Sequence, residues 1–217
     1  MTAPLAVPGR RVPLWWWPTA LLALAIAGYS LRYVMLGDRA FIPELAESFQ
    51  ARRVPLLIHT LFGPIALTLG IVNLLPAMRR RRWSLHRLLG RIYIVSALAL
   101  GLAGGYLAFF ATGGLIARLG FLSLAVLTLA TSSAGYLSIR RREIVRHREW
   151  MLRSYALIFG AVTLRIWLPL LIMAHGGEFL PAYRWVAWLS WVPNILWAEW
   201  TIRRGWRPVF EHARFGA

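Results

Sequence analysis

Three histidines stand where a polar group is expensive. His59 interrupts a long apolar stretch, while His86 and His147 follow arginine blocks, in RRRRWSLHRLLGRIY and RRREIVRHREWMLRSYALIFGAVTLR. A histidine can offer one ring nitrogen to a metal or a proton while the other donates a hydrogen bond, which suits it to haem ligation or proton exchange. Arg87 and Arg148 beside them would answer haem propionates or other anionic oxygens with charge-assisted hydrogen bonds. Arg32 and Arg165 lie inside apolar stretches, where an arginine costs about 2.5–3.5 kcal/mol on insertion scales and marks a site by default. Snorkelling to the headgroups serves Arg32 more readily than Arg165. The chain has no cysteine, which excludes disulfides, iron–sulfur clusters and thiolate chemistry. It has no paired acids, H-E-x-x-H or nucleophile elbow, so hydrolysis is not indicated.

The elements that position these residues follow from composition. Of 217 residues 59% are hydrophobic and 15% charged, whereas a soluble domain carries about 25% charge. All 25 basic residues are arginine, and the net charge is +17. In a soluble protein that charge would suggest nucleic acid. Here the arginines cluster between apolar spans, which points to topology and anionic lipid headgroups, with no nucleic-acid partner.

Six stretches reach the roughly 20 residues that a bilayer requires: 14–36, 54–76, 88–110, 115–139, 151–173 and 183–202. The first resembles a signal peptide down to Ala25-Ile26-Ala27, but its apolar run continues to Leu36, so it reads as a retained span with Arg10 and Arg11 as a topology signal. Arginine blocks precede the first span, separate the second from the third (Arg79 to Arg82, Arg87) and the fourth from the fifth (Arg140 to Arg142, Arg146, Arg148), and follow the sixth (Arg203, Arg204, Arg207). These are alternate ends of the chain, so both termini are expected in the cytoplasm of a bacterium, the protein lying in its inner membrane. Trp15 to Trp17, Trp83, Trp150, Trp197 and Trp200 fit an inner aromatic belt, and Trp185 and Trp188 an outer one. The expected fold is all-α: residues 1–217 form one polytopic bundle of six transmembrane helices, with residues 37–53 as a loop. Neither an internal repeat nor a pair of broken helices is evident.

At about 100° per residue, positions 4, 7, 11, 15 and 18 apart share a helix face. His86, Gly90, Ala97, Gly101, Gly104 and Ala108 fall together on the third span. His59, Gly63, Ala66, Gly70 and Asn73 do so on the second, and His147, Met151, Ser154, Ile158 and Arg165 on the fifth. Such stripes suit close helix packing with histidines bonding across the interface. They equally suit a slot for a flat ring, a haem or a quinone, with histidine as ligand. Depth separates two groups. His86 and His147 lie at the cytoplasmic end and could share one haem iron. Arg165 is about 27 Å along its helix from His147, and His59 about 25 Å from Pro76, at 1.5 Å per residue. His59 therefore belongs to the outer half with Arg32 and Arg165, where His175 is the other histidine in reach. His212 lies in the tail, without an evident role.

The H-x-x-x-G of the second span, HRLLGRIY, and HREWMLRSYAL followed by AVTLR resemble an uncharacterised bacterial membrane-protein family, domain of unknown function 2306. The resemblance covers about residues 54–170. It implies motif positions at His59, His86, Arg87, Gly90, Arg91, Tyr93, His147, Arg148, Trp150, Met151, Arg153 and Arg165, with Asn73 where a glutamine is common. A looser likeness is to two-haem membrane cytochromes b, which implies haem b between His86 and His147 and a second between His59 and His175, Arg87, Arg148 and Arg165 serving propionates. The leading expectation is a redox protein, a membrane oxidoreductase subunit, with an inner cofactor site of His86, His147, Gly90 and Met151, exchanging electrons with a quinol and open to homo-oligomerisation. The alternatives are a small-anion or proton-coupled transporter using His59, Arg32 and Arg165, and a cofactorless scaffold or assembly factor.

Overall fold

The computed structural model describes residue 14, residues 16–75, residue 78 and residues 81–204. Arg10, Arg11, Trp15, Pro76, Arg79, Arg80, Arg207 and His212 thus lie outside the described residues. Among those described the regular structure is helical: α1 Trp16–Ser30, α2 Arg32–Leu36, α3 Pro43–Gln50, α4 Arg53–Asn73, α5 Trp83–Ala108, α6 Gly114–Arg140, α7 Ile144–Ile158, α8 Gly160–Ala174, α9 Phe179–Leu189 and α10 Val192–Arg203. The protein is an all-α membrane protein. Five helical segments are long and apolar enough to cross a bilayer: Trp16–Ala40, Arg53–Asn73, Trp83–Ala108, Gly114–Arg140 and Ile144–Ala174.

The stretch expected as a sixth span is divided. Its two halves, α9 and α10, meet at Ser190 and Trp191, where Trp191 leaves helical geometry (φ −131°, ψ −28°) and Pro193 opens the next helix. A milder interruption at Phe159 separates α7 from α8. The expected loop at 37–53 is also corrected, because it holds the amphipathic helix α3. Pro43 starts that helix and Leu45 is its buried contact, while Phe41 and Phe49 pack edge to face at 5.5 Å.

The bundle closes on small residues. Ala20, Ala23 and Ala27 of α1, Ala66, Leu67 and Ile71 of α4, Tyr93 and Ala97 of α5, and Tyr155, Ile158 and Val162 of α7–α8 form one buried core. Large apolar side chains such as Leu21, Val95, Leu102 and Leu115 point outward. This is the pattern of helices solvated by lipid, where close van der Waals approach rather than a hydrophobic drive holds neighbours together. Turns are tight. Gly113 sits at φ +100° to start α6, and Arg142 ends that helix at φ +62°. There the amide of Glu143 bonds the Ser138 carbonyl (2.9 Å) and that of Arg142 the Ile139 carbonyl (3.1 Å), a Schellman ending with arginine where glycine is usual.

Candidate functional site

The outer-half residues come together. Arg165 of α8 donates to its own Ala161 carbonyl (2.8 Å) and to Ser30 Oγ of α1 (3.1 Å). Its guanidinium carbon lies 5.8 Å from the centre of the Tyr29 ring, and that of Arg32 lies 4.1 Å from the same ring. Arg32 also donates to Tyr33 Oη (3.1 Å), while its buried Nε has no acceptor among the described residues. Two cations thus share one tyrosine, and no carboxylate pairs with either among the described residues. His59 lies on α4, which packs against α1 and α2. Its Nδ1–H donates to the Leu100 carbonyl of α5 at 3.3 Å, which leaves Nε2 as the ring's acceptor.

Two prolines sharpen this cluster. Pro64 lies inside α4 and Pro169 inside α8. A proline lacks the amide that would bond the carbonyl four residues earlier. The carbonyls released are those of Thr60, next to His59, and of Arg165 itself. Sequence reading passed over both prolines, although the i−4 rule would have pointed from each to the site.

The inner motif residues are arranged differently. His147 donates through Nδ1 to the Gly135 carbonyl of α6 (2.8 Å), and Met151 packs into the notch of the same glycine. Ser154, next along that face, bonds Tyr93 Oη of α5 (2.7 Å) and Ser132 Oγ of α6 (2.8 Å). The stripe of α7 is therefore a packing face against α6 that reaches across to α5. His86 stacks on Trp83 of its own helix at 5.7 Å, and the Arg87 guanidinium lies 6.0 Å from the same ring. Asn73 of α4 approaches the open side of Gly90.

Whether a haem or other flat ring fits can be read from the glycines. His147 has the right tautomer, since a ligating imidazole normally donates its other nitrogen to a carbonyl or carboxylate. The space is another matter. A methyl at Gly70 would fall 2.3 Å from Tyr155 and 2.9 Å from Tyr93, at Gly101 2.9 Å from Leu129, at Gly104 3.1 Å from His59, and at Gly135 2.8 Å from Met151 Sδ. Neighbouring side chains fill these four notches, whereas at Gly90 the nearest atom is Asn73 Nδ2 at 3.9 Å and at Gly63 nothing lies within 4 Å. His175, suggested as a partner of His59, likewise donates Nδ1–H to a carbonyl, that of Leu171 in its own helix (2.8 Å). Among the described residues no cluster of three or more histidine, aspartate or glutamate side chains is placed to hold a metal.

Two helix breaks meet near the middle of the bundle, contrary to the sequence expectation. Thr163 of α8 donates to the Ser190 carbonyl. Asn194 of α10 donates to Thr163 Oγ1 (3.0 Å) and to the Ser190 carbonyl (3.1 Å). Gly160 lets the chain approach, its Cβ position lying 3.3 Å from the Ser190 carbonyl. Broken helices survive in lipid when side chains satisfy the backbone groups they free, and Thr163 and Asn194 do so here.

Fold and packing define an integral membrane protein of several apolar helices with partly buried cations between them. The chain belongs to the family described as a predicted membrane protein, domain of unknown function 2306, whose profile matches residues 56–202. That match runs past the 54–170 carried by the motifs and takes in α9 and most of α10. No curated protein and no solved structure matches the chain.

Proposed function

We propose that this protein binds a small anion between α1–α2, α4 and α8, and that its function is to carry that anion across the membrane. The observation that carries the reading is the pair of guanidinium groups, Arg32 and Arg165, facing one tyrosine ring and paired with no acid among the described residues. Like charges in a low-dielectric layer repel and are poorly solvated. An anionic oxygen would relieve both, bridging Arg165 and the buried Nε of Arg32. A titratable imidazole at His59 would let a proton accompany the anion. Paired helix breaks at mid-depth are the sort of joint on which alternating-access carriers turn.

The transport reading includes a sixth crossing. α9 packs on α6 and α8, and α10 on α7, so the broken pair runs antiparallel to α7–α8 from one end to the other. Residues 179–203 would span about 37 Å at 1.5 Å per residue, enough for a bilayer. Both termini and the arginine blocks then share the cytoplasmic face of a bacterial inner membrane. With no native cysteine, single cysteines report this directly. One at Thr112 should be labelled from outside intact cells, and one at Arg141 only after permeabilisation.

The binding test uses full-length protein in detergent, with thermal unfolding followed against a panel of small carboxylates and inorganic phosphate. At least one should raise the unfolding temperature of the native protein and not that of Arg32→Gln plus Arg165→Gln. A stabilising anion should then be taken up by proteoliposomes in a manner lost on the same substitutions. If no anion of the panel stabilises the native protein, or if the double variant responds equally, the reading is wrong.

A further inference from the structure

We infer that α6 carries a built-in seat for one phospholipid whose headgroup bears both a phosphate and a primary ammonium, independent of the anion site. Its head end is a cleft of about 400 Å³ between the end of α6 and the start of α7, lined among others by Ser138, Arg141, Glu143, Arg146, Glu149 and Arg153. Most charges here already have partners. Arg146 pairs with Glu143 at 3.4 Å, and Arg153 is held by Glu199 of α10 through bonds of 2.5 and 3.1 Å. What remains is one charge of each sign, Arg141 and Glu149, neither in an ion pair among the described residues. A purely anionic head would meet Glu149 as a like charge, whereas a zwitterionic head answers both residues.

A second cleft marks the other end of the seat. It is lined by Leu122, Ser123, Val126 and Leu127 of α6 and by Trp191 at the break between α9 and α10, mostly with apolar atoms. The two clefts lie on one face. At 100° per residue Ser123, Leu127, Ala130, Ala134, Leu137 and Arg141 stay within about 40° of a single line along α6. Between the clefts Ala130 is exposed to the surroundings of the bundle, as is Leu137 in the wall of the first, and the small side chains of Ala130 and Ala134 leave this lane open. From Ser138 to Leu127 it runs about 16 Å at 1.5 Å per residue, close to half of a hydrocarbon core about 30 Å thick. A charged pocket at the membrane surface thus leads into an apolar lane ending near mid-depth at Trp191. That is the shape of one lipid in one leaflet.

The test is native mass spectrometry of the full chain released from detergent, titrated separately with phosphatidylethanolamine and phosphatidylglycerol of matched chains. The native protein should hold one phosphatidylethanolamine about tenfold more tightly than phosphatidylglycerol. Glu149→Gln should erase that preference, and Arg141→Gln should weaken both lipids. Ala130→Trp, on a lipid-exposed face where folding is not at risk, should reduce the one-lipid adduct by blocking the lane. Equal binding of the two lipids by the native protein overturns the inference, as does tighter binding of phosphatidylglycerol. So does a preference that survives Glu149→Gln, or an adduct indifferent to Ala130→Trp. Anion responses belong to Arg32 and Arg165 on other helices, so either proposal can fail alone.

Discussion

Gly70→Ala should be among the most damaging single-methyl changes in this protein. The added Cβ would lie 2.3 Å from Tyr155 Cδ2, 2.5 Å from its Cε2 and 2.9 Å from Tyr93 Cε2. Ordinary carbon contacts begin near 3.5 Å, so the Tyr155 ring or helix α4 must retreat by about 1.2 Å. Neither ring has room, since Tyr155 is 5% and Tyr93 1% exposed. Tyr93 is further tied through Ser154 to Ser132, so moving it strains a three-residue hydrogen-bond chain. Overpacking of this kind costs about 1–3 kcal/mol, and losing one bond of the chain about 0.5–1.5 kcal/mol more. The full chain in detergent should therefore lose about 2–4 kcal/mol, or several degrees in its unfolding temperature at about 2–4 °C per kcal/mol for this size. The control is Gly63→Ala, two turns away on the same helix face, where a methyl meets nothing within 4 Å. It should be neutral or slightly stabilising, since alanine is the better helix former. Equal effects of the two substitutions would refute the packing argument, as would failure of Tyr155→Leu to rescue Gly70→Ala.

Three further outcomes follow from the geometry. Arg153→Gln and Glu199→Gln should each destabilise the α7–α10 contact by about 1–3 kcal/mol, because the charged partner stays half-buried without its bonds; their double variant should lose clearly less than the sum in a thermal double-mutant cycle. Arg142→Gly should raise thermal stability by about 1 kcal/mol, since it removes a side chain from a left-handed backbone position. Purified protein from haem-replete cells should show no Soret band that shifts on dithionite reduction, because side chains fill the notches at Gly70, Gly101, Gly104 and Gly135; a stoichiometric band would return His86 and His147 to the centre of the mechanism.

Helix phase made the faces legible but not what opposes them. The stripe of Gly63, Ala66, Gly70 and Asn73 is real as a face, yet Gly70 receives two tyrosines while Gly63 opens on nothing. Only the partner helix decides that, and its register lies beyond any single-helix pattern. The spans expected from 88 and 151 begin as helices at Trp83 and Ile144, because arginine and histidine lower hydropathy without breaking a helix. His86 and His147 are consequently first-turn helical residues, each continuous with the helix whose face it was assigned to. The amphipathic α3 was hidden for the opposite reason: eight residues with two glutamates register as a loop when the search is for spans. The Ser190–Trp191 break was obscured because apolar residues flank it on both sides. Pro193, which opens α10, was its one visible sign.

Charge compensation separates the two ends of the molecule. At the arginine-rich end the half-buried Arg153 has Glu199, and Arg146 has Glu143. At the opposite end Arg53 has Asp38, and Arg52 bonds Ser48 while its guanidinium lies 3.7 Å from the centre of the Phe110 ring. Arg32 and Arg165 lie within apolar helical segments and, like Arg52, pair with no acid among the described residues. Their partners are neutral: a carbonyl, a serine hydroxyl and tyrosine rings. Cation–π contacts of Arg32 with Tyr29 and Tyr33 (4.1 and 4.9 Å) and of Arg165 with Tyr29 (5.8 Å) offset insertion cost without supplying an opposite charge. A scaffold role could place both cations by snorkelling, but Arg165 turns instead to Ser30 in the bundle. In the proposed function an anion would add the opposite charge that these neutral partners lack, which gives the two arginines a physical reason to stand together.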